Sequence, residues 1–249
     1  MPDAILAAEG LRKEFLGFVA VDGVNLSVRR GSIHALIGPN GAGKTTVFNL
    51  LTKFLPPTAG RIVFDGGDIT GERPAQVARR GMVRSFQISA VFPNITVLEN
   101  VRLALQRKLG TSFHFWRSEQ SLRSLDDQAM ALLGEVDLQT FRDHLAVELP
   151  YGRKRALELA TTLALDPKLL LLDEPTQGMG SEDVGRVTAL IKKVSAGRTV
   201  LMVEHNLSVV AHLSDVITVL QRGNVLAEGP YEQVSKDPRV LEAYIGAPA

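Results

Sequence analysis

Short apolar runs with a period of two open the chain. Ile5-Leu6-Ala7 and Val24-Asn25-Leu26-Ser27-Val28 read as strands, punctuated by Gly10, Gly17 and Gly23, and together they predict an antiparallel edge. That edge leads into a short buried strand, Ile33 to Ile37, and then an amphipathic helix from Thr45 to Lys53. Arg61-Ile62-Val63-Phe64 and Met82-Val83-Arg84-Ser85-Phe86 read as further strands, joined by the turn Asp65-Gly66-Gly67-Asp68 and a short helix after Pro74. From Val97 to about Leu165 the period lengthens: Val101, Leu105, Leu125, Ala129, Leu132 and Leu133 recur at helical spacing around a loop from Gly110 to Phe115. Strands return at Leu169 to Asp173, Thr199 to Val203 and Val216 to Leu220, each separated by a helix. This alternation predicts an α/β fold with a mostly parallel sheet covered by helices on both faces.

Composition narrows the class. A chain of 249 residues, 45% hydrophobic and 22% charged, can bury a sizeable core and is expected to be soluble. Its 28 basic and 27 acidic residues leave a net charge of +1, so no global field recruits nucleic acid, and no nucleic-acid partner is expected. Without cysteine there is no disulfide framework, which fits a reducing compartment. Apolar stretches such as Leu169 to Leu172 are too short to span a bilayer. A cytoplasmic protein is expected, its membrane association arising only through a partner.

Chemistry enters at the turn between the buried strand and its helix. Gly38-Pro39-Asn40-Gly41-Ala42-Gly43-Lys44-Thr45-Thr46 satisfies G-x-x-x-x-G-K-[ST], the phosphate-binding loop or Walker A motif. Its glycines let successive backbone N–H groups converge on an anion, and the following helix adds its positive end. Lys44 is expected to reach the β- and γ-phosphates, and the Thr45 hydroxyl to ligate Mg²⁺, a hard cation that prefers oxygen. The second signature is the apolar run ending in Asp173-Glu174. Ligands of a parallel sheet bind beyond the carboxyl ends of its strands, so both carboxylates should arrive beside the phosphates. Asp173 would hold the Mg²⁺ shell, and Glu174 would orient or deprotonate the attacking water. His205, ending the next strand, is a candidate γ-phosphate contact, and the amide of Gln87 a candidate ligand to Mg²⁺ and water.

The order of these motifs resembles the ATP-binding subunits of ABC transporters over nearly the whole chain. The resemblance implies a P-loop NTPase (RecA-like) core with an antiparallel β edge and a helical subdomain. Residues 1–87 and 167–225 would form the catalytic core, 88–166 the helical subdomain and 226–249 a C-terminal tail, all one cassette domain. Phe15 matches the aromatic residue that stacks on adenine, with Phe18 as its rival. Arg84-Ser85-Phe86-Gln87, the insertion around Phe113-His114-Phe115-Trp116 and the ending Ala243-Tyr244-Ile245-Gly246 look most like the branched-chain amino acid importer ATPases of LivG type.

Two departures stand out. The family's LSGGQ signature, which completes the nucleotide site of a second subunit, reads here Leu149-Pro150-Tyr151-Gly152-Arg153 and lacks the serine hydroxyl. Pro150 fits the first turn of a helix, where it could hold the Tyr151 and Gly152 N–H groups toward a phosphate instead. The D-loop reads Gln177-Gly178-Met179-Gly180, without the usual terminal Asp or Asn.

The resemblance implies an ATP-hydrolysing motor at the cytoplasmic face of the inner membrane, pairing with an identical chain or a LivF-like paralogue. It would act on two permease subunits and, indirectly, on a periplasmic solute-binding protein. Ser89-Ala90-Val91-Phe92-Pro93 is the expected permease contact. Related readings are a urea importer, a lipopolysaccharide exporter or a soluble non-transport ABC protein. A small-molecule kinase would share the P-loop but leaves the signature-like loop and His205 unexplained.

Overall fold

The computed structural model describes residues 3–85, 91–106 and 125–245. Chain order runs β1 (Ala4–Phe15), β2 (Phe18–Arg29), β3 (Ile33–Ile37), α1 (Lys44–Leu51), β4 (Ala59–Phe64), β5 (Gly67–Asp68), α2 (Pro74–Arg79) and β6 (Met82–Ser85). There follow α3 (Val97–Gln106), α4 (Asp126–Glu135), α5 (Tyr151–Leu163), β7 (Leu169–Asp173), α6 (Ser181–Val194), β8 (Thr199–Val203) and α7 (Leu207–Leu213). β9 (Val216–Gln221), β10 (Asn224–Gly229), α8 (Tyr231–Val234) and α9 (Pro238–Ile245) complete it. Contacts divide the chain into one unit of Met1–Met82, Lys168–Gln177 and Gly197–Ala249, and a second of Val83–Pro167 and Gly178–Ala196.

The first unit holds two sheets. β2-β1-β4-β5 is antiparallel throughout, the expected edge in a larger form: β1 and β2 are each 12 residues long. The other has, within this unit, the order β10-β9-β3-β8-β7. β3 pairs parallel with β8 (Leu36 opposite Val203) and with β9 (Ile37 opposite Val219), and β7 pairs parallel with β8 (Asp173 opposite Val203). Every residue of β7 and β8 is buried, as continuous apolar sequence demands of strands covered on both faces. The core lies between the sheets: Leu6, Leu11, Val28 and Phe64 from one and Leu36, Leu171 and Leu201 from the other close around Val47, Phe48 and Leu51 of α1.

The second unit is helical. α3 packs on α4 and α5, and α5 packs on α6, through the buried positions Val101, Leu105, Leu133, Leu157, Ala160 and Ile191. It takes in residues 178–196, which the sequence reading assigned to the catalytic core. The supposed C-terminal tail includes most of a further strand, β10, antiparallel to β9. Asn224-Val225-Leu226-Ala227-Glu228-Gly229 is half exposed along its whole length, so alternation gives little signal there.

One polar chain runs across this sheet from its buried interior to its surface. His34 of β3 is 1% exposed, and its Nε2 lies 2.7 Å from the Thr218 hydroxyl of β9, which donates at 2.6 Å to Glu228 of β10. Because the hydroxyl hydrogen is used on Glu228, Nε2 must be the protonated nitrogen of a neutral ring. Burial, reinforced by the Arg29 charge, lowers the imidazole from its ordinary 6.5 to about 4. As pH falls through that window the unfolded chain takes up a proton that the folded chain refuses, so stability present above pH 6.5 is lost toward pH 4. The expected loss is on the order of 3 kcal/mol. Urea unfolding at pH 7.5 and at pH 4.5 should show it in the wild type and a correspondingly flatter profile in His34→Leu; equal losses in both would exclude this histidine as the cause.

Candidate functional site

β3 delivers the phosphate-binding loop, and close packing explains its glycines. At Gly38 (φ +150°) a Cβ would lie 2.2 Å from the Leu220 carbonyl oxygen, and at Gly43 (φ +100°) 2.8 Å from that of Ala20. Gly41 (φ +78°) faces open space, so there only the left-handed backbone calls for glycine. α1 begins at Lys44 with no side chain capping it, which leaves its first-turn N–H groups facing an anion site. A cavity of about 370 Å³ opens there, lined by residues 40–46 together with Phe18, Ala20, Glu174 and His205. Pro39 and Gly38 border it through their carbonyls, which receive the Lys44 ammonium at 3.0 and 2.7 Å. Burial lowers the Lys44 ammonium below its ordinary range, and the Glu174 charge opposes that shift.

The two carboxylates differ in setting. Asp173 is the buried last residue of β7. Glu174 has left the strand with φ +48°, a strained conformation for a residue with a side chain, while its N–H donates to the Val203 carbonyl at 2.9 Å. Its Oε1 accepts a hydrogen bond of 2.8 Å from His205 Nε2. Thus β7 and β8 together bring Glu174 and His205 into the cavity wall.

Of the two aromatic candidates, Phe18 lines the cavity; Phe15 opposes it in the β1–β2 register and lies under the Lys13 ammonium, 5.0 Å from the ring centre. Gln87 falls outside the described residues, as do Ser89, Ala90 and Phe113 to Trp116. The donor set suits a nucleoside triphosphate with Mg²⁺. Among the described residues no group of three or more His, Asp or Glu could hold a metal ion; Thr45 lines the cavity, and Asp173 ends β7 beside Glu174.

Residues 21–177 match the ABC transporter family. The chain belongs to that family. Its last residues, 224–249, match the branched-chain amino acid ATP-binding cassette transporter family. It is 41% identical to the high-affinity branched-chain amino acid transport ATP-binding protein BraF of Pseudomonas aeruginosa, covering 99% of both chains. It is 37% identical to LivG of Escherichia coli, again over 99% of both. Among solved structures, MJ1267, an ATP-binding cassette of an ABC transporter in its ADP conformation, superposes with a TM-score of 0.85 at 33% identity, over 98% of this chain and 99% of that one. A dimeric post-hydrolysis state of the cassette MJ0796, bound to ADP and Pi, gives 0.74 at 25% identity over 91% and 98%.

This ABC cassette carries its signature run in the second unit. Leu149 is buried, and Pro150 (φ −56°, ψ 157°) precedes α5 as its cap instead of entering the first turn, its carbonyl accepting from the Arg153 and Lys154 N–H groups at 3.0 Å each. Tyr151 and Gly152 are therefore the first helical residues. A Cβ on Gly152 would meet the Asp183 carboxylate of α6 at 3.1 Å, so a side chain at the signature glycine would push that carboxylate aside. A cleft of about 620 Å³ beside it, lined by Pro150, Arg153, Asp183 and Arg186, is larger than the P-loop cavity but has neither glycine cradle nor uncapped lysine-led helix.

Sequence reasoning missed Glu204, whose carboxylate gathers four hydrogen bonds beneath the site, and Asn100, which holds the loop before α3. Acidic residues beside a histidine are common, and only the fold reveals what this one faces. The glycine geometry makes a graded prediction. Gly38→Ala and Gly43→Ala each combine strain with a backbone clash and should weaken ATP-analogue binding by about 2 kcal/mol or more, roughly 30-fold. Gly41→Ala meets strain alone and should lose several-fold less. Equal dissociation constants across the three would show that the contacts, as opposed to the backbone angles, are irrelevant.

Proposed function

We propose that this chain is the ATP-hydrolysing motor of an importer for branched-chain amino acids, acting through separate membrane permeases. The observation that carries the hydrolytic part is the 2.8 Å hydrogen bond between Glu174 and His205 on the wall of the P-loop cavity. For the solute class the support is the match of residues 224–249 and the similarity to BraF and LivG, which favours this reading over urea import or lipopolysaccharide export.

In this reading the loop amides and Lys44 bind the triphosphate, Lys44 exchanging its carbonyl partners Gly38 and Pro39 for phosphate oxygens. Phe18 stacks on the base. Thr45, Asp173 and Gln87 would hold Mg²⁺, which when bound neutralises charge on the phosphates. Glu174 receives the proton of a water as its oxygen attacks the γ-phosphorus and the bond to ADP breaks. His205 keeps Glu174 aligned and faces the γ-phosphate. Two chains would sandwich two nucleotides, each α5 N-terminus completing the other's site, in the manner suggested by the dimeric MJ0796. The partner chain is an identical copy or a LivF-like ATPase, and a periplasmic binding protein supplies solute to the permeases. No described helix is long and apolar enough to cross a membrane, so contact with the bilayer comes through those permeases.

Phe92 is the docking residue. It is 59% exposed, on a loop fixed by buried Asn100, whose side chain accepts from the Phe92 N–H at 2.7 Å and donates to the Phe92 and Thr96 carbonyls at 3.1 and 2.9 Å. Exposed Leu145 and Val147 pair with the same loop, through the Thr96–Leu145 bridge and the Val147 N–H on Pro93. A rigid apolar patch of this kind suits a protein partner.

Two outcomes test the proposal. Glu174→Gln keeps the volume but loses the base, and should cut turnover by about 10² to 10⁴ while retaining ATP binding and accumulating an ATP-bound dimer; hydrolysis within threefold of wild type would sink the assignment. Phe92→Asp should leave the isolated ATPase intact yet lose permease-stimulated hydrolysis and leucine uptake in proteoliposomes. Unchanged permease binding by that variant would refute the docking site.

A further inference from the structure

We infer that Glu204 is a positioning residue for hydrolysis: its buried carboxylate ties the turn that carries Glu174 to the strand end that carries His205. The inference rests on the reading of Glu174 and His205 given above. Glu204 follows β8 and is 2% exposed. One of its oxygens, Oε1, accepts from the Thr176 N–H at 3.1 Å and from the Thr176 hydroxyl. The other, Oε2, accepts from the N–H groups of His205 at 2.6 Å and Asn206 at 3.1 Å. Each oxygen therefore serves a different segment, one just after Glu174 and the other containing His205.

That arrangement answers a question the site itself raises. Glu174 sits at φ +48°, and a side-chain-bearing residue remains in such a conformation only where its surroundings over-determine it. Its own N–H is held by Val203, and the Gln177 N–H returns to the Glu174 carbonyl at 3.1 Å. Glu204 supplies the remaining restraint, gripping Thr176 in the middle of that turn. The same carboxylate fixes the backbone of His205, whose ring meets Glu174 at 2.8 Å. Both ends of the Glu174–His205 bond are thus referred to one buried group.

The chemistry of the pocket makes glutamate specific. Four donors converge on two oxygens, which a carboxylate matches in full; the NH₂ of glutamine would face either the two backbone N–H groups of His205 and Asn206, or the Thr176 N–H and a hydroxyl that can turn to accept, so at least one backbone N–H loses its acceptor. Glu204→Gln must lose either the bonds to His205 and Asn206 or the bond to the Thr176 N–H, and so loosens one of the two segments. Glu204 does not line the P-loop cavity, so nucleotide affinity should be spared.

The test compares the full-length Glu204→Gln chain with wild type, with Glu174→Gln and with Thr188→Val. The last removes a different buried hydroxyl, bonded to Val184 at 2.7 Å in α6, and reports the effect of losing a buried hydrogen bond remote from the site. Fluorescent ATP-analogue binding, kcat at saturating MgATP and thermal midpoint are measured on each. Glu204→Gln is expected to lower kcat by about 10- to 100-fold with the nucleotide Kd within about threefold of wild type, and Thr188→Val to keep kcat even where its midpoint falls as far. A kcat within threefold of wild type, a parallel loss of kcat and affinity, or an equal kcat loss in a Thr188→Val chain of matched midpoint overturns the inference. Should Glu204→Gln fail to fold, Thr176→Val removes one of the four donors and should still lower kcat by about three- to tenfold at unchanged Kd; an unaltered kcat there overturns it too. Inactive Glu174→Gln beside fully active Glu204→Gln would refute the positioning role alone. Active Glu174→Gln would remove the reading on which it rests.

Discussion

Parallel backbone pairing of β7, β8 and β3 is the constraint from which the rest of the site follows. Asp173 opposes Val203, and Val203 opposes Leu36, so the three strands stop at one edge of the sheet. The phosphate-binding loop, the Glu174 turn and His205 are the continuations of those strands. A slip of one residue in either ladder would turn every side chain to the opposite face and separate Glu174 from His205. Burial on both faces prevents such a slip: β7 and β8 expose no residue, and their leucines, valines and methionine have no second register that keeps them dry.

Around that edge the fold concentrates local strain and meets it with satisfied polar groups. Gly38 and Gly43 allow the backbone to approach Leu220 and Ala20 more closely than any side chain would permit. Glu174 holds a left-handed conformation against its intrinsic preference. Beneath these, Glu204 and the pair His34–Thr218 are buried with their hydrogen bonds made, the last of them reaching the exposed Glu228. Buried polar groups left unmet would cost about 1 to 3 kcal/mol each, so these networks tolerate few substitutions. They stiffen the strand ends that carry the chemistry.

The helical unit follows different physics. Its apolar faces pack α3, α4, α5 and α6 together, and its surface keeps two features that packing alone does not explain. One is the N-terminal end of α5, opened by Pro150 in place of a hydroxyl cap and held close to α6 by Gly152. The other is Phe92, exposed on a loop that buried Asn100 makes rigid.

Local sequence determined the phosphate-binding loop, the buried strands β3, β7 and β8, and the carboxylate pair at Asp173-Glu174, because each is written in consecutive residues: glycine spacing, unbroken apolar runs and a charge at their end. It determined the helical character of the insertion through its periodicity. Tertiary structure alone decided that Phe18 lines the cavity and Phe15 does not, since the two are directly paired across the β1–β2 hairpin and no local pattern separates them. It decided that residues 178–196 pack with the helices and that Asn224 to Gly229 forms a strand, both through contacts remote in sequence. It also decided the role of Glu204, which stands 28 residues from Thr176 in a dipeptide with His205 that by itself says nothing. Hydrogen bonds across such distances leave no periodic trace in the chain, and only the folded sheet brings their partners together.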